Sequence, residues 1–150
     1  MSKRVFTVLA IDGGGVKGII PARVLQEIEE RTGKPVCELF DLVAGTSTGA
    51  IVAGGMITPS DDDPKKPKYS AKDILQTYID HAEKIFPEKK FRDFLDMMPG
   101  TNGFYDGKYF EKVLEDYFGD TKFKDTLTHL MMAGADMKNF EPVWMHYFLD

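Results

Sequence analysis

Two short apolar runs, each leading into a glycine-rich turn, stand out in the first third of the chain. Residues 5–11 form one nearly continuous apolar run, and residues 40–44 form the other. Runs of this length without alternation are typical of buried strands in a parallel sheet. A helical pattern over residues 19–31 separates them, and strand–helix–strand order favours a parallel pair. The pattern therefore predicts a β-α-β unit with strands at about 4–11 and 40–45.

The rest of the chain adds two helical patterns and two apolar runs. Ser70 and Asp73 have the spacing of a capping box and open an amphipathic helix. A second amphipathic pattern ends near residue 118, and strands are predicted at about 128–135 and 142–149. We therefore expect an α/β fold of three layers, with a mainly parallel sheet and helices on both faces.

The second apolar run leads into a serine pentad, and an apolar helical run follows it. The pentad reads Gly45-Thr46-Ser47-Thr48-Gly49. A G-x-S-x-G sequence between a strand and a helix is the pattern of a nucleophile elbow. The turn strains the serine backbone, so its neighbours must lack side chains that would clash with the strand or the helix. The helix N-terminus also favours developing negative charge, which makes Ser47 the candidate nucleophile.

A triple-glycine loop follows the first apolar run. Its sequence is Asp12-Gly13-Gly14-Gly15-Val16-Lys17-Gly18. Such a loop at a helix start exposes backbone N–H groups with no side chains in the way. Those groups can hold the oxyanion of an acyl-transfer intermediate or bind a phosphate.

The same loop also fits the fingerprint of a dinucleotide-binding fold. That alternative needs an acidic residue at the end of the second strand, where it would hold the ribose. Glu38 and Asp41 instead lie at or before the beginning of that strand. The nucleotide interpretation is therefore disfavoured, and a tight glycine turn without a ligand stays as the other alternative.

Together, the loop and the pentad resemble the two motifs of the patatin-like phospholipases, a family of lipid acyl hydrolases. The pattern D-G-G-G-x-[RK]-G, then G-x-S-x-G on the next strand, is matched at every fixed position. The resemblance implies that Ser47 is the nucleophile. It also implies that backbone N–H groups around Gly13, Gly14, Gly15 and Val16 form the oxyanion hole. The implied substrate is a phospholipid or another acyl-ester lipid, with no metal and no organic cofactor.

The family pairs its serine with an aspartate in a later D-G-[GA] motif. After the pentad, the sequence contains one Asp-Gly, at Asp106-Gly107, and Lys108 follows it. Asp106 is better interpreted as a helix N-cap, and Asp136 lacks the motif. We therefore expect the dyad aspartate beyond residue 150. Residues 1–150 are then the N-terminal portion of a longer serine acyl hydrolase domain, and a chain without the dyad aspartate can be inactive alone.

Composition narrows the function classes further. The net charge of −5 argues against nucleic-acid binding. A single cysteine, Cys37, excludes an intramolecular disulfide, and we expect it to be a buried small hydrophobe. The first residues contain no apolar signal region, and a cytoplasmic location is expected.

Two further alternatives stay open. The missing aspartate favours a catalytically inactive module that binds lipid or a partner protein. The acyl-carrier transacylases share G-x-S-x-G, but they carry His before the serine and lack the glycine loop. Residues 85–105 interleave lysines with aromatic residues. We favour a cap that packs on the core in this segment over peripheral contact with an anionic bilayer.

The sequence does not indicate an oligomeric state.

Overall fold

The computed structural model describes residues 5–85, 107–136 and 138–148. Within them, one sheet contains four strands in the order β1-β2-β3-β4. The strands are β1 (Val8–Ile11), β2 (Leu42–Thr46), β3 (His129–Asp136) and β4 (Glu141–Tyr147). The first three are parallel, and β4 runs antiparallel to β3. The mixed α/β class and the mainly parallel sheet are thereby confirmed.

Five α-helices connect and flank the strands in the described ranges. They are α1 (Ile19–Thr32), α2 (Val36–Leu39), α3 (Thr48–Ile57), α4 (Ala71–Ile85) and α5 (Gly107–Phe118). Short 3₁₀ turns lie at Gly15–Gly18 and Phe123–Asp125. The sequence pattern did not predict α2, because four residues are too few to show a helical period. Asp106 and most of the basic and aromatic segment 85–105 lie outside the described residues.

Local sequence signals set the helix ends. Gly33 follows α1 with φ 64°, a left-handed conformation, and its N–H donates to the carbonyl of Glu29 at 2.8 Å. Ahead of α4, the Ser70 N–H donates to a carboxylate oxygen of Asp73 at 2.8 Å. The Asp73 N–H returns a bond to the Ser70 hydroxyl at 3.2 Å. The capping box predicted at Ser70 and Asp73 is therefore confirmed, with aspartate in the place of the usual glutamate.

The buried core of the described residues lies on one face of the sheet. Register places Leu9 beside Val43 and Val43 beside Leu130, and Val43 is fully buried. Helices α1, α3 and α4 contribute buried side chains to the same cluster. The parallel strands follow one another in one direction across the sheet, and right-handed crossovers between such strands place their helices on one face. The opposite face is apolar and more open, with Val8 53% exposed and Trp144 57% exposed. None of the described helices has both the length and the apolar character needed to span a bilayer.

Candidate active site

The glycine loop and the serine pentad meet at the carboxyl ends of β1 and β2. Ile11, the last residue of β1, pairs with Gly45 in β2. Because the two strands are parallel, the segments that follow them leave the sheet at the same edge. The tertiary structure thus brings together two motifs that are more than thirty residues apart in the sequence. Crevices at this edge of an open α/β sheet are where ligands bind in such folds.

Ser47 forms the whole turn between strand and helix. Strand β2 ends at Thr46 and α3 begins at Thr48, so a single residue reverses the chain. Ser47 has φ 54° and ψ −127°, a left-handed conformation that side-chain-bearing residues rarely adopt. Such a residue costs on the order of 1–3 kcal/mol and persists only where the surroundings enforce it. The side chain of Ser47 is exposed, at the N-terminus of α3.

The two glycines of the pentad allow this turn, because a side chain at either position would collide with neighbouring backbone. A Cβ on Gly45 would lie 2.5 Å from the carbonyl carbon of Gly49. A Cβ on Gly49 would collide with the carbonyl oxygen of Ile11, at the end of β1. The backbone of α3 therefore packs directly on both strands. The glycines define the distance between helix and sheet and, with it, the position of Ser47.

The glycine loop packs against the serine. A Cβ on Gly13 would lie 2.6 Å from the carbonyl oxygen of Thr46 and 2.7 Å from Cβ of Ser47. Gly15 has φ 57°, and the N–H of Lys17 donates to the carbonyl of Gly14 at 3.1 Å. The loop backbone, not a side chain, therefore packs against Thr46 and the Cβ of Ser47.

The four predicted oxyanion donors differ in their hydrogen bonding. The N–H of Gly14 donates to Oγ1 of Thr48 at 3.2 Å. In the described ranges, no hydrogen bond uses the N–H of Gly13, Gly15 or Val16. Three of these donors are therefore available to an incoming oxyanion, and the fourth ties the loop to α3.

A buried tyrosine, which sequence reasoning missed as a site residue, lies behind the turn. The hydroxyl of Tyr78 in α4 donates to the carbonyl oxygen of Thr48 at 3.0 Å. Burial raises the pKa of Tyr78 to about 12. In the sequence Tyr78 belongs to the apolar stripe of an amphipathic helix. The signal that could have marked it is the phenol, which needs a polar partner when buried.

Comparison with known proteins shows the family to which this chain belongs. The family model described as "Patatin-like phospholipase" matches residues 9–144, from β1 into β4. The chain belongs to the patatin-like phospholipase family. This assignment confirms the resemblance carried by the glycine loop and the serine pentad.

Several curated relatives of this patatin-like chain come from plants. Patatin-like protein 2 of Oryza sativa subsp. indica is 36% identical over 150 aligned positions, which cover 93% of this chain and 36% of the relative. "Probable inactive patatin-3-Kuras 1" of Solanum tuberosum is 37% identical over 144 positions, covering 91% of this chain and 36% of the relative. Patatin-like protein 2 of Arabidopsis thaliana is 33% identical over 147 positions, covering 91% and 35%. The chain thus spans about a third of the length of these relatives.

Two carboxylates of the patatin-like chain, Asp136 and Asp41, have hydrogen-bond partners away from Ser47. Asp136 ends β3 and accepts the N–H groups of Lys138 at 2.8 Å and Asn139 at 3.3 Å. These bonds, with one from the Asn139 side chain, lower the pKa of Asp136 and close the β3–β4 turn. Asp41 accepts the N–H and the hydroxyl of Thr7 at 2.8 and 3.0 Å, at the amino end of β2. It therefore lies at the wrong end of the strand to hold a ribose.

An apolar cavity of about 300 Å³ runs along α3. Ala50, three residues after Ser47, lines one part, and Thr58 beyond the end of α3 lines another. Phe118 of α5 and Met132 of β3 contribute to the opposite wall. A largely apolar cavity of this size is within the range of small-molecule sites.

Proposed function

We propose that this chain is the part of a serine acyl hydrolase that carries the nucleophile and the oxyanion donors, acting on a phospholipid or another acyl-ester lipid. The observation that carries the proposal is the exposed Ser47 at φ 54°, with the backbone of Gly13 packed against it. A strained, exposed serine at a helix N-terminus, beside available N–H groups, suits attack on an ester carbonyl.

In the proposed reaction, Oγ of Ser47 attacks the ester carbonyl carbon, and the carbonyl oxygen becomes an oxyanion. The N–H groups of Gly13, Gly15 and Val16 stabilise that charge, together with the N-terminus of α3. One well-placed donor lowers the barrier by roughly 3–4 kcal/mol. Collapse of the tetrahedral intermediate expels the alcohol and leaves an acyl-serine ester, which water then hydrolyses to the free acid.

The proton on Ser47 must go to a general base. We expect this base to be an aspartate beyond residue 150, because Asp136 and Asp41 are engaged elsewhere. The aspartate would take the serine proton, pass it to the departing alcohol and later activate the attacking water. The proposed mechanism uses no metal ion and no organic cofactor.

The lipid nature of the substrate is supported by the apolar cavity beside α3. Its lining begins with Ala50 and Ile51, which follow Ser47 on the same helix. An acyl chain bound there would bury apolar surface and hold its ester near the serine. A phospholipid substrate would be drawn from a bilayer. Peripheral contact of the protein with a membrane surface therefore belongs to the same proposal.

A second candidate is a catalytically inactive module that binds lipid or a partner protein. It is favoured by the similarity to a relative whose name includes "probable inactive". It is also favoured by the hydrogen bonds that hold Asp136 and Asp41 at other parts of the sheet. Such a module would keep the cavity and the fold but would not activate the serine.

The test is the intact mass of the protein after incubation with a fluorophosphonate. The matched variants are Ser47→Ala and Ser60→Ala, the second altering another serine, on a loop away from the turn. We expect one adduct on the wild type and on Ser60→Ala, and none on Ser47→Ala. Folded wild-type protein that contains the dyad aspartate and still forms no adduct would overturn the hydrolase proposal and leave the binding module.

A turnover assay distinguishes a site in which Ser47 can only be acylated from a site that also releases the product. The protein would be assayed with a phospholipid and with a neutral acyl ester, each as vesicles or micelles of defined composition. Labelling of Ser47 without turnover would mean that the deacylation base is missing from this chain. Labelling with turnover in the 150-residue chain would refute the expectation that the base lies beyond it.

A further inference from the structure

Thr48, the residue after the candidate nucleophile, is held from two sides. Its side-chain Oγ1 accepts the N–H of Gly14 at 3.2 Å, and its carbonyl oxygen accepts the hydroxyl of Tyr78 at 3.0 Å. Thr48 is only 4% exposed; its bond with Tyr78 is buried, and its bond with Gly14 is partly buried. One residue of the turn thus connects the glycine loop on one side with α4 on the other.

Tyr78 also supports the far end of the loop. A Cβ on Gly18 would lie 2.6 Å from the Tyr78 hydroxyl oxygen and 2.7 Å from ring carbons. The phenol ring therefore occupies the space next to Gly18 that any other residue would fill. The glycine loop is fixed near its start by Thr48 and at its end by Tyr78.

We propose that Thr48 and Tyr78 are positioning residues that set the distance between the oxyanion donors and the Ser47 hydroxyl. The inference rests on the proposed function, and neither residue touches the substrate. Oxyanion donors act only when they lie about 2.7–3.1 Å from the developing charge. A displacement of about 1 Å at a reacting centre can cost on the order of a hundredfold in rate.

Both contacts suit this role in their chemistry. The Thr48 hydroxyl accepts from Gly14, and its methyl group fixes the side-chain rotamer because the residue is β-branched. The phenol of Tyr78 stays neutral and able to donate, since burial raises its pKa to about 12. Thr48, the second x of the G-x-S-x-G pentad, thus acts through its side chain as well as its backbone.

The experiment compares four variants with the wild type in the rate of fluorophosphonate labelling of Ser47. Thr48→Val removes the hydroxyl and keeps the shape, and Thr48→Ser restores the hydroxyl. Tyr78→Phe removes the phenol that binds Thr48. Tyr69→Phe is the matched control, because its hydroxyl donates to the carbonyl of Tyr117 at 2.9 Å, away from the turn. All variants would be compared at equal folded fraction.

We expect labelling to slow by about tenfold to a hundredfold in Thr48→Val and Tyr78→Phe. Thr48→Ser should recover most of the wild-type rate, and Tyr69→Phe should stay within about twofold of it. An equal loss in Tyr69→Phe would mean general destabilisation and would overturn the inference. Labelling of Thr48→Val at the wild-type rate would also overturn it.

Backbone amide exchange of residues 13–18 provides a readout that does not depend on reactivity. Exchange at Gly14 should rise at least about tenfold in Thr48→Val and in Tyr78→Phe, but not in Tyr69→Phe. Unchanged exchange in the first two variants would overturn the positioning role. If wild-type Ser47 does not label at all, the proposed function fails, while the exchange data still decide whether these two residues hold the loop.

Discussion

Gly45 faces Gly49 so closely that a Cβ on Gly45 would lie 2.5 Å from the carbonyl carbon of Gly49. Strand β2 and helix α3 therefore touch backbone to backbone across the single residue Ser47. This contact explains the five-residue spacing of the pentad, because a one-residue turn brings the residues two before and two after the serine together. The left-handed φ of Ser47 follows from the same contact.

The first prediction concerns Gly49. Gly49→Ala should lower the free energy of unfolding by about 3 kcal/mol or more, because its Cβ would meet the backbone of Ile11, which cannot move without breaking the sheet. Gly33→Ala is the control. Gly33 has φ 64° but open space around it, so we expect a loss of only about 1–2 kcal/mol. Urea unfolding of both variants checks the difference, and equal losses would contradict the packing argument.

The second prediction concerns the strain at Ser47. Ser47→Gly should raise the free energy of unfolding by about 1 kcal/mol or more, because glycine adopts φ 54° without the Cβ penalty. Ser47→Ala keeps the Cβ and should leave stability nearly unchanged, although both variants lose the nucleophile. Thermal unfolding distinguishes them, and a Ser47→Gly variant no more stable than Ser47→Ala would show that the turn is not strained.

The third prediction concerns Glu29, whose carboxylate joins the starts of two helices. One oxygen accepts the N–H of Val36 at 3.0 Å and the other accepts the N–H of Ala71 at 2.7 Å. Glu29→Ala removes both caps and should cost about 2 kcal/mol. Its exposed neighbour Glu30 accepts a bond from the Gln26 side chain on the surface of α1, and Glu30→Ala should cost less than about 0.5 kcal/mol. Chemical denaturation measures both, and similar losses would rule out the double cap.

The fourth prediction is a loss of stability at alkaline pH. Burial raises the pKa of Tyr78 to about 12, above the ordinary value of 10.0. The folded state then holds the proton more tightly than the unfolded state. The resulting stabilisation is complete below about pH 10 and is lost as the pH rises towards 12. Tyr117, whose pKa burial also raises to about 12, acts in the same direction.

The check is urea unfolding at a series of pH values from neutral to about 11.5. Tyr78→Phe removes one of the two shifted phenols, so its stability should fall less steeply above pH 10 than that of the wild type. Parallel curves for the two proteins would mean that Tyr78 titrates alike in the folded and unfolded states. Cys37, whose pKa burial raises to about 11, adds a similar loss at slightly lower pH in both proteins.

Strand boundaries show how far periodicity alone can predict the fold. The apolar run predicts a strand from about residue 4, yet β1 begins at Val8. Val8 pairs with Leu42, the first residue of β2, so the residues before it have no strand beside them. An apolar run indicates that a segment can form a strand, but the length of its neighbour determines where the strand begins.

The sequence by itself determined the features that depend on neighbouring residues. A serine between paired glycines, after an apolar strand, specifies a tight strained turn, because backbone sterics act over a few bonds. The capping box at Ser70 and the left-handed glycine after α1 are local for the same reason. The family motifs at the glycine loop and the pentad can likewise be recognised from the order of the residues alone.

Only the tertiary structure decided which distant groups share a hydrogen bond. Gly14 and Thr48 are 34 positions apart, Tyr78 and Thr48 are 30 apart, and Glu29 and Ala71 are 42 apart. A phenol or a carboxylate in a helical pattern does not reveal its partner, since the partner depends on how helices pack on the sheet. A hydrogen bond forms only when its donor and acceptor lie about 3 Å apart in the right direction, so these bonds depend on the packing of the helices on the sheet. For this reason the nucleophile could be predicted from the sequence, and the residues that hold its surroundings in place could not.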